Sequence, residues 1–340
     1  MQAYCPDVEQ AKDLIGRFGS PLYVYDADTM LRQLQQFREG FHSLPIKVHY
    51  AAKALTNLNV LQLFREAGTG LDTVSLAELE MGLMVGFSPQ DIVFTPNCVD
   101  FAEIGTAVDK GVRINLENLP NLRAFGEHFG NSYPCCIRLH PDIQAEQETQ
   151  RIQAWHQQSK FGIARTQMQE VQKLRKQYDL QIEGIHLHSS SKIMNPEVFA
   201  VGVSTVMEIA LEFPDLKYLD FGGGIRVNYR EEEEAIDLAA FGDLLRPLYA
   251  RFAERYGRSI EIWFEPGRYL VGPAGVLLCQ AVLKKNNGHI DILGLDTGFN
   301  HLVRPMMYGA YHQIINLSRS AKPETTYNIV GNICEIDNFA

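Results

Sequence analysis

Eight times between Lys47 and Gly267 a short run rich in β-branched and aromatic residues gives way to a longer stretch with helical apolar spacing. The runs are KVHYAAKA from Lys47, GLDTVS from Gly70, DIVFTPN from Asp91, VRINLEN from Val112, CCIRLHP from Cys135, QIEGIHLHSS from Gln181, LKYLDFGGG from Leu216 and EIWFEPG from Glu261. Between them lie segments such as NVLQLFREAG, AELEMGLMVG, VFAVGVSTVMEIALEF and FGDLLRPLYARFAERYG, several closing on glycine as helix C-termini prefer. A strand, a crossover helix and a second strand make a parallel pair, so eight such units predict an α/β fold, a (β/α)8 TIM barrel. The same alternation also builds an open doubly wound sheet, which stands as the alternative.

The flanks lack this rhythm. Residues 1–27 end in the strand-like PLYVYD, and beyond Gly267 the pieces LLCQAVLKK, HIDILGLD, YHQIINLS and YNIVGNIC are separated by turns. The expected organisation is a barrel over residues 28–265 and a second, smaller β domain built from both chain ends, 1–27 and 266–340.

Charge narrows the function classes. A formal net charge of −10 with pI near 5.5 argues against a nucleic-acid partner, which needs clustered Lys and Arg. The opening residues are not a basic-then-apolar leader, and the longest apolar run, Ala274 to Leu283, is too short to span a bilayer, so no membrane partner and a cytoplasmic location are expected. Six scattered cysteines without a CxxC pair read as reduced thiols. Five are expected to be buried small apolar residues, with Cys334 as the exception.

Polar and special residues gather at the C-terminal ends of the eight runs: Lys53, Asp72, Asn97, Arg138, His188, Gly222 to Gly224 and Glu265. In a barrel these ends share one face, where loops surround a single cavity on a rigid frame. Lys53 closes an apolar strand, where an amine is unfavourable unless its charge is lost or paired. Such an amine suits imine formation, and the plainer reading is a lysine snorkelling at a strand end. Gly222, Gly223 and Gly224 offer three uncrowded backbone amides that suit a phosphate dianion, or simply a tight turn. Glu265-Pro266-Gly267-Arg268 places a carboxylate at the end of the eighth run with an arginine after it. That pairing suits a protonated ring nitrogen and an anionic oxygen, or a structural ion pair.

His186 and His188 alternate along one strand and project to one side. Metal binding, stacking on a ring and hydrogen bonding in the core are all open to them, and no metal is assigned because no further ligand lies at metal spacing. Arg304 and Tyr308, four residues apart, share a face if their segment is helical. Cys334-Glu335 follows the apolar YNIVGNI, an unusual place for an exposed thiol beside an acid.

With Lys53, the histidine strand, the glycine triplet, EPGR, RPMMY and Cys334-Glu335 in this order, the chain resembles the alanine-racemase-like, fold-type-III family of pyridoxal 5'-phosphate (PLP)-dependent decarboxylases. Within that family it is most similar to the diaminopimelate decarboxylases. The resemblance implies a barrel plus a β domain, PLP as cofactor, and a homodimer with an active site shared across the interface. It implies that Lys53 carries PLP as a Schiff base, that His188 stacks on the ring, and that Ser191 and Gly222 to Gly224 hold the phosphate. Glu265 would meet the pyridine nitrogen within the Glu265-Pro266-Gly267-Arg268 turn, and Arg138 would lie near the phenolic oxygen. Arg268, Arg304 and Tyr308 would bind the distal end of the substrate, while Cys334 and Glu335 would reach the partner's site, Cys334 as proton donor.

The implied reaction is decarboxylation of meso-diaminopimelate to L-lysine, since two arginines favour a distal carboxylate and Glu335 a distal ammonium. A carboxylated polyamine, another acidic amino acid, a non-catalytic PLP-binding regulator and a metal-dependent barrel hydrolase using His186 and His188 are the rival readings. Two departures from the family pattern are visible: Ser190 stands where a glycine is usual before Ser191, and the chain stops at Ala340, at the end of CEIDNFA. Family members continue there through further β strands and a tyrosine, so the expectation is an incomplete β domain with weak activity or low stability.

Overall fold

The computed structural model describes residues 3–140, 159–188, 195–230, 232–233, 236–318, 325–335 and 339. The chain opens with α1 (Val8–Phe18), β1 (Leu22–Tyr25) and α2 (Ala27–Gly40). Each of the eight runs then forms a strand: β2 (Ile46–Ala51), β3 (Gly70–Thr73), β4 (Ile92–Phe94), β5 (Arg113–Leu116), β6 (Cys135–Leu139), β7 (Ile182–Leu187), β8 (Tyr218–Asp220) and β9 (Glu261–Phe264). Neighbours pair in parallel in sequence order, and β2 returns to β9 through Ile46↔Ile262, Lys47↔Trp263 and Val48↔Phe264. That last pairing closes the barrel and excludes the open sheet, which would leave two edges.

The barrel helices are α3 (Leu58–Glu66), α4 (Leu76–Met84), α5 (Phe101–Asp109), α6 (Leu119–Phe129), α7 (Met168–Tyr178), α8 (Pro196–Ala210) and α9 (Leu238–Tyr256). Six of these start from a short polar residue, Asn57, Ser75, Asp100, Asn118, Asn195 and Asp237, whose side chain accepts from the first turn. Each cap satisfies amides that would otherwise be orphaned where a strand hands over to a helix. At the other end, α9 stops on Gly257 in the left-handed conformation. Among the described residues no helix is long and apolar enough to cross a membrane.

Inside the barrel, Tyr218 and Trp263 stack with ring centroids 3.5 Å apart and are almost fully buried. Gly184 on β7 makes this possible, because a Cβ there would lie 2.3 Å from the Tyr218 ring. Towards the N-terminal end of the strands Arg113 and Lys217 both pair with Glu183, the latter at 2.8 Å. This is the face where barrels place residues for stability.

His49 belongs to the same interior, with its ring 4.4 Å from that of Trp263 and both nitrogens unpartnered among the described residues. Burial, reinforced by the Lys47 cation and resisted by Glu265 and Asp91, lowers its pKa from 6.5 to about 3. A lowered histidine contributes stability above its unfolded pKa. That contribution is lost as pH falls from 6.5 towards 3, by at most about 1.4 kcal/mol per pH unit. His49→Leu is therefore expected to give a shallower acid decline of unfolding free energy across that window. Equal slopes in chemical denaturation would show that His49 does not gain a proton on unfolding.

After the barrel come α10 (Arg268–Val271), β10 (Gly275–Leu278), β11 (Ala281–Asn286), β12 (Asp291–Leu295), α11 (Arg304–Tyr308) and β13 (Asn328–Val330). β1 and β10 pair antiparallel from Leu22↔Leu278 to Tyr25↔Gly275, which joins the two chain ends. β11, β12 and β13 form a separate sheet in which β12 and β13 are parallel. By contacts the chain divides into Met1–Thr29 with Val227–Ala235 and Gly272–Ala340, and Met30–Arg226 with Ile236–Val271. The second of these is the barrel unit and the first carries the smaller sheets. The excursion Val227–Ala235 between β8 and α9 groups with the smaller unit, a feature that the expected limits of 28–265 did not contain.

Candidate active site

β2 ends at Ala51 and turns at once into a single 3₁₀ turn, Ala52–Ala54, with Lys53 at its centre. The register Ala51↔Asp72 sets the acid at the same level on β3, and Lys53 Nζ lies 2.7 Å from Asp72 Oδ2. The lysine therefore does not snorkel away; it ends on a carboxylate whose side chain is fully buried, while 45% of its own stays open. Burial lowers the Lys53 amine, but Asp72 and Glu265 together outweigh it and hold the amine above its ordinary value. Burial and the Glu265 charge raise the Asp72 carboxyl against the pull of Lys53. An amine must shed a proton before it can attack a carbonyl, and Asp72 is placed to receive it.

Glu265 follows β9 and is buried. Its Oε2 lies 3.2 Å from His186 Nε2, and its Oε1 has no partner among the described residues. Burial alone would raise this carboxyl, but the charge and hydrogen bond of His186, with the Lys53 charge, drive it far below the usual carboxylate range. Asp220, at the end of β8, is raised well above its ordinary value by burial and by Glu265. His186, Asp220 and Glu265 bring potential ligand atoms within 4.8 Å of one another. Sequence spacing hid this group, because the two acids come from the seventh and eighth barrel strands.

The glycine triplet is only partly free to bind an anion. The Gly222 amide donates to Asp220 Oδ1 at 2.8 Å and the Gly223 amide to His188 Nδ1 at 3.1 Å. That corrects the expectation of three equivalent donors, since the strand-end acid and the second histidine each claim one. The Gly224 amide has no partner among the described residues. Glycine is required here: Gly222 and Gly224 have φ of +64° and +99°, and a Cβ on Gly223 would lie 2.3 Å from the Glu265 carbonyl oxygen. His188 is held neutral, its pKa lowered to about 3 by burial and by the Lys53 and Arg138 cations. Arg138 is buried beneath the Phe161 ring, 4.5 Å from guanidinium carbon to centroid, with its Nε unpartnered.

The turn after Glu265 packs on the lysine turn. Ala51 N donates to Pro266 O at 3.4 Å, and a Cβ on Gly267 would meet Ala54 and Ala51 Cβ at 2.9 and 3.0 Å. Arg268 opens α10 and is exposed.

In the smaller unit, Arg304 to Tyr308 is indeed helical, so the four-residue spacing puts both side chains on one face. The Arg304 guanidinium lies over the Tyr229 ring at 4.6 Å, and its Nη1 is 3.3 Å from His312 Nε2. Among the described residues it has no anionic partner, which leaves a positioned cation available to one. Pro305, Met306 and Glu335 line one recess with Phe299 and Ile333. Tyr308 and Cys334 are exposed.

The structure thus brings Lys53, Arg138, His188, Gly222 to Gly224 and Glu265 together at one end of the barrel, and Arg304, Tyr308, Cys334 and Glu335 within the other unit. Ser191, with Ser190, lies outside the described residues. Sequence reasoning placed Asp72 on the strand-end face without giving it a role and did not assign Asp220 to the site, and the available signal was an acid ending an otherwise apolar strand. It also missed Glu117, buried and accepting from the Asn97 side chain and from Cys98 N at 3.1 Å. The cysteine expectation is corrected: Cys135 and Cys136 are buried and Cys279 is half-buried, but Cys5 and Cys98 are exposed like Cys334. All six are free thiols.

Comparison with known proteins agrees with this geometry. Residues 27–272 match the family model described as pyridoxal-dependent decarboxylase, pyridoxal binding domain. The diaminopimelate decarboxylase of Methanothermobacter thermautotrophicus is 35% identical over 338 residues, which covers 96% of this chain and 78% of that one. A crystal structure of a diaminopimelate decarboxylase superposes with a TM-score of 0.85 at 30% identity, over 98% of this chain and 80% of that one. Another, from Helicobacter pylori and complexed with L-lysine, gives 0.84 at 28% identity, over 97% and 83%. The barrel offers an amine, a buried carboxylate and a glycine turn at one end, and the chain belongs to the pyridoxal-dependent decarboxylases.

Proposed function

We propose that this protein removes one carboxylate from meso-diaminopimelate to give L-lysine and carbon dioxide, using PLP held in the barrel. The observation that carries the reading is the Lys53 amine on Asp72, in the same charged cluster as a buried Glu265 that keeps one oxygen unpartnered. The residues present fit the cofactor. Among the described residues Glu265 Oε1 and Arg138 Nε have no partner, so that the first can accept from a ring nitrogen, and the Gly224 amide is available to phosphate. Ser191 is assigned to the same phosphate and Gly222 and Gly223 back it. Bound there, the cofactor would supply an electron sink for the pair left when carbon dioxide departs.

The chain's own groups do the rest. Lys53 would supply the amine that holds the cofactor, and Asp72, 2.7 Å from that amine, would take up its ammonium proton. Glu265, an anion across the physiological range, keeps a proton at the ring nitrogen. His188, neutral and tied to the Gly223 amide, offers its ring face. Arg268, Arg304 and Tyr308 bind the distal carboxylate, and the Tyr229 ring and His312 hold Arg304 for that task. The Cys334 thiol returns a proton to the substrate's Cα and Glu335 meets the distal ammonium, each acting in the site of a second copy of this chain. A homodimer is supported by the exposed apolar side chains of Met307, Tyr308, Ile314 and Ile315, which a lone subunit would leave in water.

The lysine seen in the Helicobacter pylori relative is the product expected here. Reduction of the coloured holoprotein with borohydride, followed by peptide mapping, is expected to find the adduct on Lys53. Carbon dioxide release is expected from meso-diaminopimelate and not from ornithine or lysine. Release from either diamine-forming substrate with none from meso-diaminopimelate would overturn the substrate assignment.

A further inference from the structure

His186 is the one member of the histidine strand that the reading above leaves without a task. It is 1% exposed, and its Nε2 lies 3.2 Å from Glu265 Oε2, a hydrogen-bond separation across the barrel from β7 to the end of β9. The three residues His186, Asp220 and Glu265 group as metal ligands do, yet the histidine nitrogen is spent on the glutamate rather than held apart from it. The neighbouring strand-mate has a different partner, since His188 Nδ1 accepts from the Gly223 amide. We infer that His186 is a positioning residue that donates from Nε2 to Glu265 Oε2 and so presents the opposite oxygen, Oε1, to the cofactor's ring nitrogen.

Two observations support this beyond the contact. A buried carboxylate with one oxygen tied keeps the other in a fixed direction, and Oε1 is the oxygen without a partner. The Glu265 main chain is tied as well, its N donating to Gly222 O at 2.8 Å, so that backbone and side chain are both restrained. Asp220 also reaches the Glu265 carboxylate by a side-chain hydrogen bond, which helps raise its own carboxyl, while its Oδ1 accepts from the Gly222 amide. The other charged or titratable groups around Glu265 are His49, Lys53, Asp72, Arg138 and His188. Among the described residues none of these five hydrogen-bonds to it. The His186 hydrogen bond is thus a direct contact that favours the ionised Glu265, which agrees with its lowered pKa.

The inference rests on the reading that Glu265 serves the ring nitrogen, and the test separates the two. Holoenzymes carrying His186→Leu, His186→Gln and Glu265→Gln are compared by kcat, KM, the pH profile of kcat and the absorption spectrum of bound cofactor. His186→Leu is expected to lower kcat about 10- to 100-fold, the effect of losing one hydrogen bond to a charged group, with KM changed little. Its acid limb moves to higher pH, because a carboxylate without its donor protonates sooner. The glutamine amide places an N–H near the Nε2 position, so His186→Gln is expected to recover most of the rate and return the limb.

A role in packing alone would not move the pH profile or distinguish Gln from Leu. Equal rates and unshifted profiles in the His186 variants, with Glu265→Gln impaired, would overturn the inference while leaving the Glu265 reading intact. An unimpaired Glu265→Gln would overturn that reading itself. Should the leucine variant not fold, His186→Asn, whose shorter amide stops short of Glu265, carries the same expectation.

Discussion

Replacing Lys53 by alanine is expected to lower kcat by at least about 10³-fold, because the amine proposed to hold the cofactor covalently is gone. The borohydride adduct disappears with it, while some cofactor binds through the remaining phosphate and ring contacts. Lys53→Arg is expected to fail equally, since it keeps the charge beside Asp72 but offers a planar group that does not give up its proton. The fold is expected to survive. Breaking a fully buried pair costs about 3–5 kcal/mol, but 45% of the Lys53 side chain is open and the abandoned Asp72 is already raised towards the neutral acid. The loss of stability therefore falls below that range, and circular dichroism should be unchanged. Near-normal turnover in either variant would remove the lysine from the chemistry.

Arg304→Leu is expected to raise KM for meso-diaminopimelate about 10²-fold with a smaller change in kcat. Truncating one member of a desolvated charge pair typically costs a few kcal/mol in binding, and each 1.4 kcal/mol is tenfold. The geometry makes the assignment specific: the guanidinium is stacked on Tyr229 and touched by His312, and no carboxylate among the described residues neutralises it. Burial and the Arg304 charge lower the His312 pKa, which keeps that imidazole from competing as a second cation. Inhibition by L-lysine, which retains the distal carboxylate as product, should weaken in step with KM. Inhibition by 1,5-diaminopentane, which lacks it, should not. Lysine inhibition as strong as in the parent would show that Arg304 reads something other than the carboxylate. Arg304→Lys is expected to rescue little, because a point charge on a flexible stem neither stacks on the ring nor meets a carboxylate with two parallel hydrogen bonds.

Both expectations come from residues that could be picked out as letters, and the reason is local. Lys53 and Arg304 each sit in a segment whose pattern already implies its geometry: an apolar strand that must end where its lysine begins, and a four-residue spacing that one helical turn brings into register. The eight strands were legible for the same reason, because the alternation of short β-branched runs with amphipathic stretches repeats within windows of about thirty residues. Asp72 and Asp220 looked like ordinary strand-end acids. What makes the first the partner of Lys53 is the register Ala51↔Asp72, and what binds the second into the site is its nearness to Glu265. The glycine triplet illustrates the limit most directly. Three identical amides in sequence become two occupied donors and one available one, only because Asp220 and His188 happen to lie within reach.

Composition, periodicity and the order of a few motifs determined the class of fold, the end of the barrel on which chemistry sits, and the residue types available there. Those properties depend on which side chains a stretch contains and how they repeat, and a linear string records both. Closure of β2 on β9, the partners of Lys53, Glu265 and Arg304, and the division of labour between His186 and His188 were decided by tertiary structure alone. Each joins groups brought together from separate segments of the chain. Protonation, burial and hydrogen-bond choice depend on the distance across that fold, not along the sequence.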